Sequence, residues 1–439
     1  MWCIIMNIGY RGKALELLKK YDVNIGDRIL VKTKKAIFKG ILMPRSEIGD
    51  DLHIVIKIDD GYNIGLSIDS IEYMEKLLEK VEETPHVIQK VKELLPNLPK
   101  VSIISTGGTI ASKIDYRTGA VSPALTAEDL YKAIPEIGEI ANIRTEILFN
   151  LLSENIVPEH WTAMAYAIKK YIDEGVEGIV VTHGTDTMGY TAAALSFSLR
   201  NLPVPVILVG SQRSSDRPSS DAYLNLKSAI FTAVKAPFAE VGVLMHASSS
   251  DDELIVHRGT RVRKMHTSRR DAFKTINSKP LAKIIGDKIE VYEPYKRRGG
   301  ELELKAKFDN KVVLIKIFPG IPIEIFDFLI ENKYHGIVIE GTGLGHAPEY
   351  IFPAIKRAIE NGITVVMTSQ CIYGRINMNV YSTGRMLLSM GVIPAEDMLP
   401  ETALVKLMWV LAQTNDKEEI RNLFLTNISG EISERSEYW

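Results

Sequence analysis

The sequence predicts an α/β protein with a large parallel-sheet domain, a smaller C-terminal α/β lobe and a small β-barrel-like module in front. Three observations carry this. From Lys100 onward, short apolar runs alternate with helical stretches in a strand–loop–helix rhythm, the pattern of a largely parallel sheet covered by helices. Between Asp27 and Ile68 the rhythm is different: four short β-like runs at close spacing, DRILVKT, AIFKGILMP, DLHIVIKI and YNIGLSI. A polar stretch, Glu293 to Asn310, then interrupts the α/β pattern and marks the border of the last lobe.

At 439 residues the chain has room for two or three domains. The divisions read as residues 1–95, 96–295 and 311–439, with the proline-containing LLPNLPK at 94–100 as the linker into the second. The composition, 46% hydrophobic and 25% charged, is that of a globular protein. A net charge of −2 gives no bulk attraction to nucleic acid, so any such contact needs a local basic patch or a partner. The two cysteines, Cys3 and Cys371, have no metal-like or redox spacing, which points to a reducing compartment. The N-terminal stretch lacks the basic region and cleavage site of a signal peptide, and no apolar run has transmembrane length. The expected location is the cytoplasm. Glutamine is scarce, and Lys, Glu and Ile are abundant, a bias met in heat-adapted proteins.

In chain order, Lys13 to Lys20 reads as a short helix. The four β-like runs follow, punctuated by the Asp59-Asp60-Gly61 turn. Residues 69 to 95 read as helical and charged. Strands are then expected at Val101–Ser105, Ile179–Thr182, Val206–Val209, Val241–Met245, Val312–Ile317, Gly336–Glu340 and Thr364–Ser369. Between the first two, a helix from Glu159 to Ile172 aligns Trp161, Met164, Ala165, Ile168, Tyr171 and Ile172 on one face. These side chains read as core.

Two loops carry chemistry. GIVVTHGTDTMGY, Gly178 to Tyr190, is a buried strand, a polar turn and the start of a helix near Tyr190. It puts Thr185 and Asp186 at the carboxyl end of a strand, where open parallel sheets bind ligands. The plain alternative is that both cap the following helix. Upstream, ISTGGTIAS places the glycine pair Gly107-Gly108 between Thr106 and Thr109; glycine lets backbone approach a ligand closely. No G-x-x-x-x-G-K-[ST] run exists, so neither loop is a Walker-type ATP loop. A threonine hydroxyl acts as nucleophile when its proton is removed and an oxyanion is stabilised.

TGGTIAS at 106–112 and VVTHGTDTM at 180–188 together resemble the two signature motifs of the L-asparaginase family. DYRTGAV at 115–121, VGSQR at 209–213, RKMHTS at 263–268 and DMLPETALVKLMWVL at 397–411 extend the likeness over about residues 97 to 439. The implied fold is an asparaginase-like parallel-sheet domain with a smaller C-terminal α/β domain. With the added N-terminal β module, the chain resembles the D-type branch of archaeal glutamyl-tRNA(Gln) amidotransferase subunits. The resemblance implies Thr109 as nucleophile, approached by the backbone around Gly108, with Tyr116 as the lid tyrosine that assists it. It implies a second cluster of Thr185, Asp186 and Lys264, in which Asp186 also anchors the substrate α-amino group. Ser153 and Glu154 would hold the α-carboxylate and α-amino ends; common asparaginases often carry Gln where Glu154 stands. His346, in EGTGLGHAP at 340–348, matches a loop that the family supplies across a homodimer interface. Its Gly-x-Gly-x-Gly lacks the spacing of a dinucleotide fingerprint.

The implied activity is release of ammonia from glutamine or asparagine through a threonine acyl-enzyme. The implied partners are a second copy of the chain, the E-type amidotransferase subunit and, through the complex, tRNA(Gln). No cofactor is expected on this chain, with ATP and magnesium held by the partner subunit. A free-standing L-asparaginase is the nearest rival; a non-catalytic partner-binding scaffold is the rival of another class. The basic cluster Arg258, Arg261, Arg263, Arg269 and Arg270 around Lys264 reads as a solvated, salt-bridged loop rather than an RNA footprint, and Cys371 as a buried small residue.

Overall fold

A computed structural model of the chain describes residues 9–45, 49–59, 62–77, 97–108, 112–114, 121–123, 129–131, 134–214 and 219–435. The first described helix, Gly12–Lys20, buries Ala14 and Leu18. They face a five-stranded antiparallel sheet in the order Asn63–Ser67, His53–Ile58, Ile37–Leu42, Arg28–Thr33, Ile71–Lys76. Alternate residues Ile29 and Val31 of one strand and Ile54 and Ile56 of another point into this core, the period-2 burial of a one-sided sheet. The two edge strands are joined by only the short turn Ile68–Ser70, so the sheet has to curl to bring its ends together, which gives the barrel-like form.

The helix expected over 69–95 does not begin where the sequence suggested. Ile71–Lys76 is a strand, antiparallel to Arg28–Thr33. Burial of Met74 between exposed Tyr73 and half-exposed Glu75 follows a strand, and the open edge of Arg28–Thr33 supplies the hydrogen-bond partners that override a charged, helix-compatible composition. Residues 78–96, Asp60-Gly61 and Cys3 lie outside the described residues.

The central sheet has eight strands. Asn142–Ile147, Lys100–Ser105, Gly178–Thr182, Val206–Val209 and Val241–His246 run parallel. Leu254–Arg258, Ala282–Ile285 and Lys288–Val291 extend it antiparallel, so the largely parallel sheet that was expected is mixed, with a meander at one side. Helices Pro158–Asp173 and Met188–Ser198 cover one face and Ala222–Lys235 the other. Register aligns Ser105 with Thr182 and Thr182 with Val209, bringing the loops that follow these strands to one edge.

The last domain is a four-stranded parallel sheet of Val312–Lys316, Gly336–Gly341, Thr364–Ser369 and Ile393–Pro394. Its helix Pro400–Leu411 shares a core with Met188–Ser198, where the rings of Phe197 and Trp409 stack 6.0 Å apart. The polar stretch before it is held: Glu303–Leu304 pairs with Leu199–Arg200, and the Trp409 indole donates to Lys305 O at 2.7 Å. Cys371 is exposed rather than buried. The strand ends at Ser369, whose Oγ accepts the Cys371 amide at 3.0 Å and turns the chain outward. No helix among the described residues is long and apolar enough to cross a membrane.

Candidate active site

The site is built where the first and second motif loops meet. At the end of Lys100–Ser105, buried Thr106 donates both its amide and its hydroxyl to Thr182 O, at 3.1 and 2.9 Å. Gly107 has φ +115, and a Cβ there would sit 2.3 Å from Leu151 O. Both glycines are therefore demanded, one by the Leu151 backbone and Gly108 by the second loop at Gly184. Thr109 and Tyr116 lie outside the described residues.

In the second loop, Thr185 and Asp186 do not cap the helix that follows. The N-cap is Thr187, which makes no capping side-chain bond and instead donates to Ser153 O at 2.6 Å. The side chains of Thr185 and Asp186 turn toward Lys264, whose ammonium donates to Thr185 Oγ1 and Asp186 Oδ1, each at 2.8 Å. The lysine side chain is 15% exposed and the aspartate 68%, so the cation is largely desolvated while its carboxylate partner faces open solvent. A partly dehydrated ammonium next to a hydroxyl holds its oxygen in place and stabilises negative charge developing there. Ser153 is buried and its Cβ packs against Gly184, while Glu154 beside it is exposed. The structure thus gathers Gly108, Ser153, Glu154, Thr185, Asp186 and Lys264 at one sheet edge.

His346 is elsewhere. It sits past Gly336–Gly341 in the C-terminal domain, bridged to Thr342 through the backbone, 3.4 Å from Thr383 Oγ1, with its ring edge-on to Tyr381. Its Nε2 is buried without a hydrogen-bond partner among the described residues.

Beneath Thr185 runs a buried relay that the motif contains but its local pattern does not reveal. The Trp161 indole donates to Thr191 Oγ1 at 3.1 Å, and Thr191 Oγ1 lies 2.9 Å from His183 Nε2. His183 Nδ1 is 2.6 Å from Gly184 O, which accepts, so the proton resides on Nδ1 and Thr191 donates to Nε2. Burial pushes the His183 pKa down to about 4, against a smaller upward pull from Gly184 O, and the ring is neutral. Trp161, expected to be core, is both core and the head of this relay. On the far side, Gly210 is packed against His183 O and Thr185 Cγ2. Buried Asp221 accepts the amides of Gln212 and Arg213, and Asn225 donates to Gly210 O at 2.9 Å.

The basic cluster is salt-bridged as expected but only partly solvated: Arg269 is exposed and Arg263 half-buried, whereas Arg258, Arg261 and Arg270 are withdrawn from solvent. Arg261 is fully buried against Asp397, Arg258 is paired with Glu240, and Arg270 with Asp251, while Arg263 reaches Glu401 and Arg269 reaches Asp271. A buried charge needs a partner, and Arg258, Arg261, Arg263 and Arg270 each find one in another segment that composition alone does not disclose, while Arg269 pairs locally with Asp271.

Two α/β domains with a hydroxyl, carboxylate and lysine converging at the edge of the larger sheet define the asparaginase class of protein. Family models agree: residues 100–297 match "Asparaginase, N-terminal", 311–424 match the glutaminase/asparaginase C-terminal domain, and 23–77 match the GatD N-terminal domain. The D subunit of glutamyl-tRNA(Gln) amidotransferase from Thermococcus kodakarensis is 54% identical over 431 residues, 96% of this chain and 97% of that protein. Its namesake from Pyrococcus furiosus is 55% identical over 427 residues, covering 95% and 97%. The chain belongs to this family, the D subunits of glutamyl-tRNA(Gln) amidotransferase. Among solved structures, the thermostable L-asparaginase of Thermococcus kodakarensis matches with TM-score 0.69 and 38% identity over 76% of this chain and 99% of that one. L-asparaginase I of Vibrio cholerae matches with TM-score 0.66 and 30% identity over 76% and 99%. Both asparaginases are covered almost whole by about three quarters of this chain, and residues 23–77 match a family model of their own.

Proposed function

We propose that the chain is the amide-hydrolysing subunit of a glutamyl-tRNA(Gln) amidotransferase, releasing ammonia from glutamine or asparagine. The observation that carries this is Lys264 bridging Thr185 and Asp186 beside the glycine loop. In this reading the Thr109 hydroxyl, assisted by Tyr116, adds to the side-chain amide carbonyl, and its proton passes to the departing nitrogen. Ammonia leaves and an acyl ester remains; water then adds to the ester, releasing the acid and restoring the hydroxyl. Thr185, oriented by Lys264 and Asp186, serves the proton transfers, and glycine-loop amides stabilise the oxyanion. Asp186, Ser153 and Glu154 hold the substrate's α-amino and α-carboxylate groups.

A second copy of the chain brings its His346 loop to the site across a homodimer interface, in keeping with the distance in sequence and the separate domain of His346. The E-type amidotransferase subunit is the heteropartner; it holds ATP and magnesium, activates the γ-carboxyl of glutamate on tRNA(Gln) and takes up the ammonia, in the cytoplasm. This chain supplies no cofactor to the reaction. The test is ammonia release from glutamine and from asparagine, by the chain alone and with the heteropartner, ATP, magnesium and Glu-tRNA(Gln). Stimulation by the charged tRNA complex, and its loss in T109A, support the reading. Asparagine hydrolysis indifferent to the partner would make the chain a plain asparaginase with an extra module.

A further inference from the structure

Lys264 is carried on a two-stranded hairpin, Val262–Lys264 with Phe273–Thr275, which is a sheet of its own among the described residues. Ribbons of two strands are marginal without outside support; Val262 and Phe273 anchor one face of this hairpin in the main core, and the direction of Lys264 depends further on what grips its base. Arg261 is at that base, where its carbonyl accepts the Ile276 amide at 2.8 Å. Its guanidinium, 0% exposed, spends its donors on two other parts of the chain. Nη1 donates to the carbonyl and to Oδ2 of Asp397, both at 3.1 Å. Nε donates to Gly430 O at 2.7 Å and Nη2 to Ser433 Oγ at 2.6 Å. Asp397, also fully buried, accepts the Ser433 amide at 3.0 Å through its other oxygen. One residue past the base, Val262 O faces Gly189 in the first turn of the helix Met188–Ser198 that follows the Thr185 loop.

We infer that Arg261 is a positioning residue for Lys264, and that the C-terminal domain and the tail at Gly430 and Ser433 complete the amidase site of the same chain through it. The inference rests on the amidase reading above. Lys264 is three residues beyond Arg261, roughly 10 Å along an extended strand. A small tilt at the base therefore moves the ammonium out of its two 2.8 Å bonds. The planar fork of arginine satisfies four acceptors on three residues in different directions, which the single ammonium of lysine does not reproduce.

The test uses the full chain, alone and in its complex, with steady-state ammonia release from glutamine and thermal melts side by side. R261K is expected to lower kcat about tenfold or more with KM within about twofold, as sub-ångström to ångström misplacement of a catalytic group does. S433A, which removes one acceptor and leaves the ion pair, is expected to lower kcat about threefold. R261A is expected to regain activity with millimolar guanidinium ion. L329A, a cavity variant in the separate C-terminal core, is expected to melt lower with unchanged kcat. Wild-type kcat in folded R261K and S433A, or an equal kcat loss in L329A, overturns the inference alone. Absence of ammonia release by wild type in any assembly overturns the amidase reading and takes the inference with it.

Discussion

Gly108 and Gly184 meet backbone to backbone: a Cβ on Gly108 would fall 2.7 Å from the Gly184 amide nitrogen. Gly108 also holds φ +82, the left-handed region that side chains resist. This contact sets the distance between the loop of the proposed nucleophile and the loop of Thr185. G108A is expected to cost about 1–3 kcal/mol in backbone strain and to lower ammonia release by more than tenfold. Melting curves and kinetics on the same preparation check both; a variant with full activity would mean the two loops need not touch.

The Lys264 bridge predicts a pattern of kinetics. K264M and T185V are each expected to lower kcat by about 10²- to 10³-fold with little change in melting temperature, since both groups lie at the sheet edge. K264R is expected to remain impaired, because its planar fork does not place one donor on both oxygens. If T185V and K264M lose activity additively in the double variant, the two act independently and the bridge is not a functional unit.

Buried, neutral histidines make the fold acid-sensitive in a defined direction. Burial lowers the pKa of His183 to about 4 and of His257 to about 3, the latter also disfavoured by nearby Lys274. Each ring takes up a proton on unfolding below its ordinary value near 6.5 but resists it when folded. Stability is therefore full above about pH 6.5 and falls as pH drops toward the folded values, by on the order of 3 kcal/mol for His183. Urea unfolding from pH 7 to pH 4 checks this; in H183N the decline over that window is expected to be shallower.

Lys406 and Glu431 form a fully buried pair at 2.5 Å, joining Pro400–Leu411 to the tail. The ammonium also donates to Thr426 O, and the carboxylate accepts the amides of Ile428 and Ser429. K406M leaves a buried carboxylate without its cation and is expected to cost about 3–5 kcal/mol, whereas K406M/E431Q is expected to recover part of that loss. Chemical denaturation of the three proteins decides it; an equal loss in single and double variants would rule out the charge as the cause.

Removing residues 1–95 is expected to spare basal glutamine hydrolysis, because every site contact named above lies beyond residue 105. Coupling to charged tRNA through the partner is expected to weaken. Unchanged tRNA-dependent activity in the truncated protein would take the docking role away from the module.

Much of this was written locally in the chain. The strands Gly178–Thr182, Val206–Val209 and Thr364–Ser369 are continuous apolar runs that end in turn residues, and they sit within a residue of their expected bounds. Asn142–Ile147, NIRTEI, escaped notice because an edge strand with only one buried position lacks that apolar signature. The Leu254–Val291 meander escaped because its direction depends on which neighbour each strand finds.

By itself the sequence determined the strand–loop–helix rhythm, the two glycine–threonine loops and the hydroxyl and carboxylate of Thr185 and Asp186, all properties of neighbouring residues and their periodicity. The likeness to the asparaginase family grouped Lys264, 79 residues from Thr185, with that pair, and only the tertiary structure decided that its ammonium reaches both oxygens at 2.8 Å. It also decided that Arg261 is a buried clamp and not a solvated charge, and that Cys371 faces outward. Burial and pairing are relations between segments far apart in the chain, fixed when the two domains share one core, and no local pattern records them.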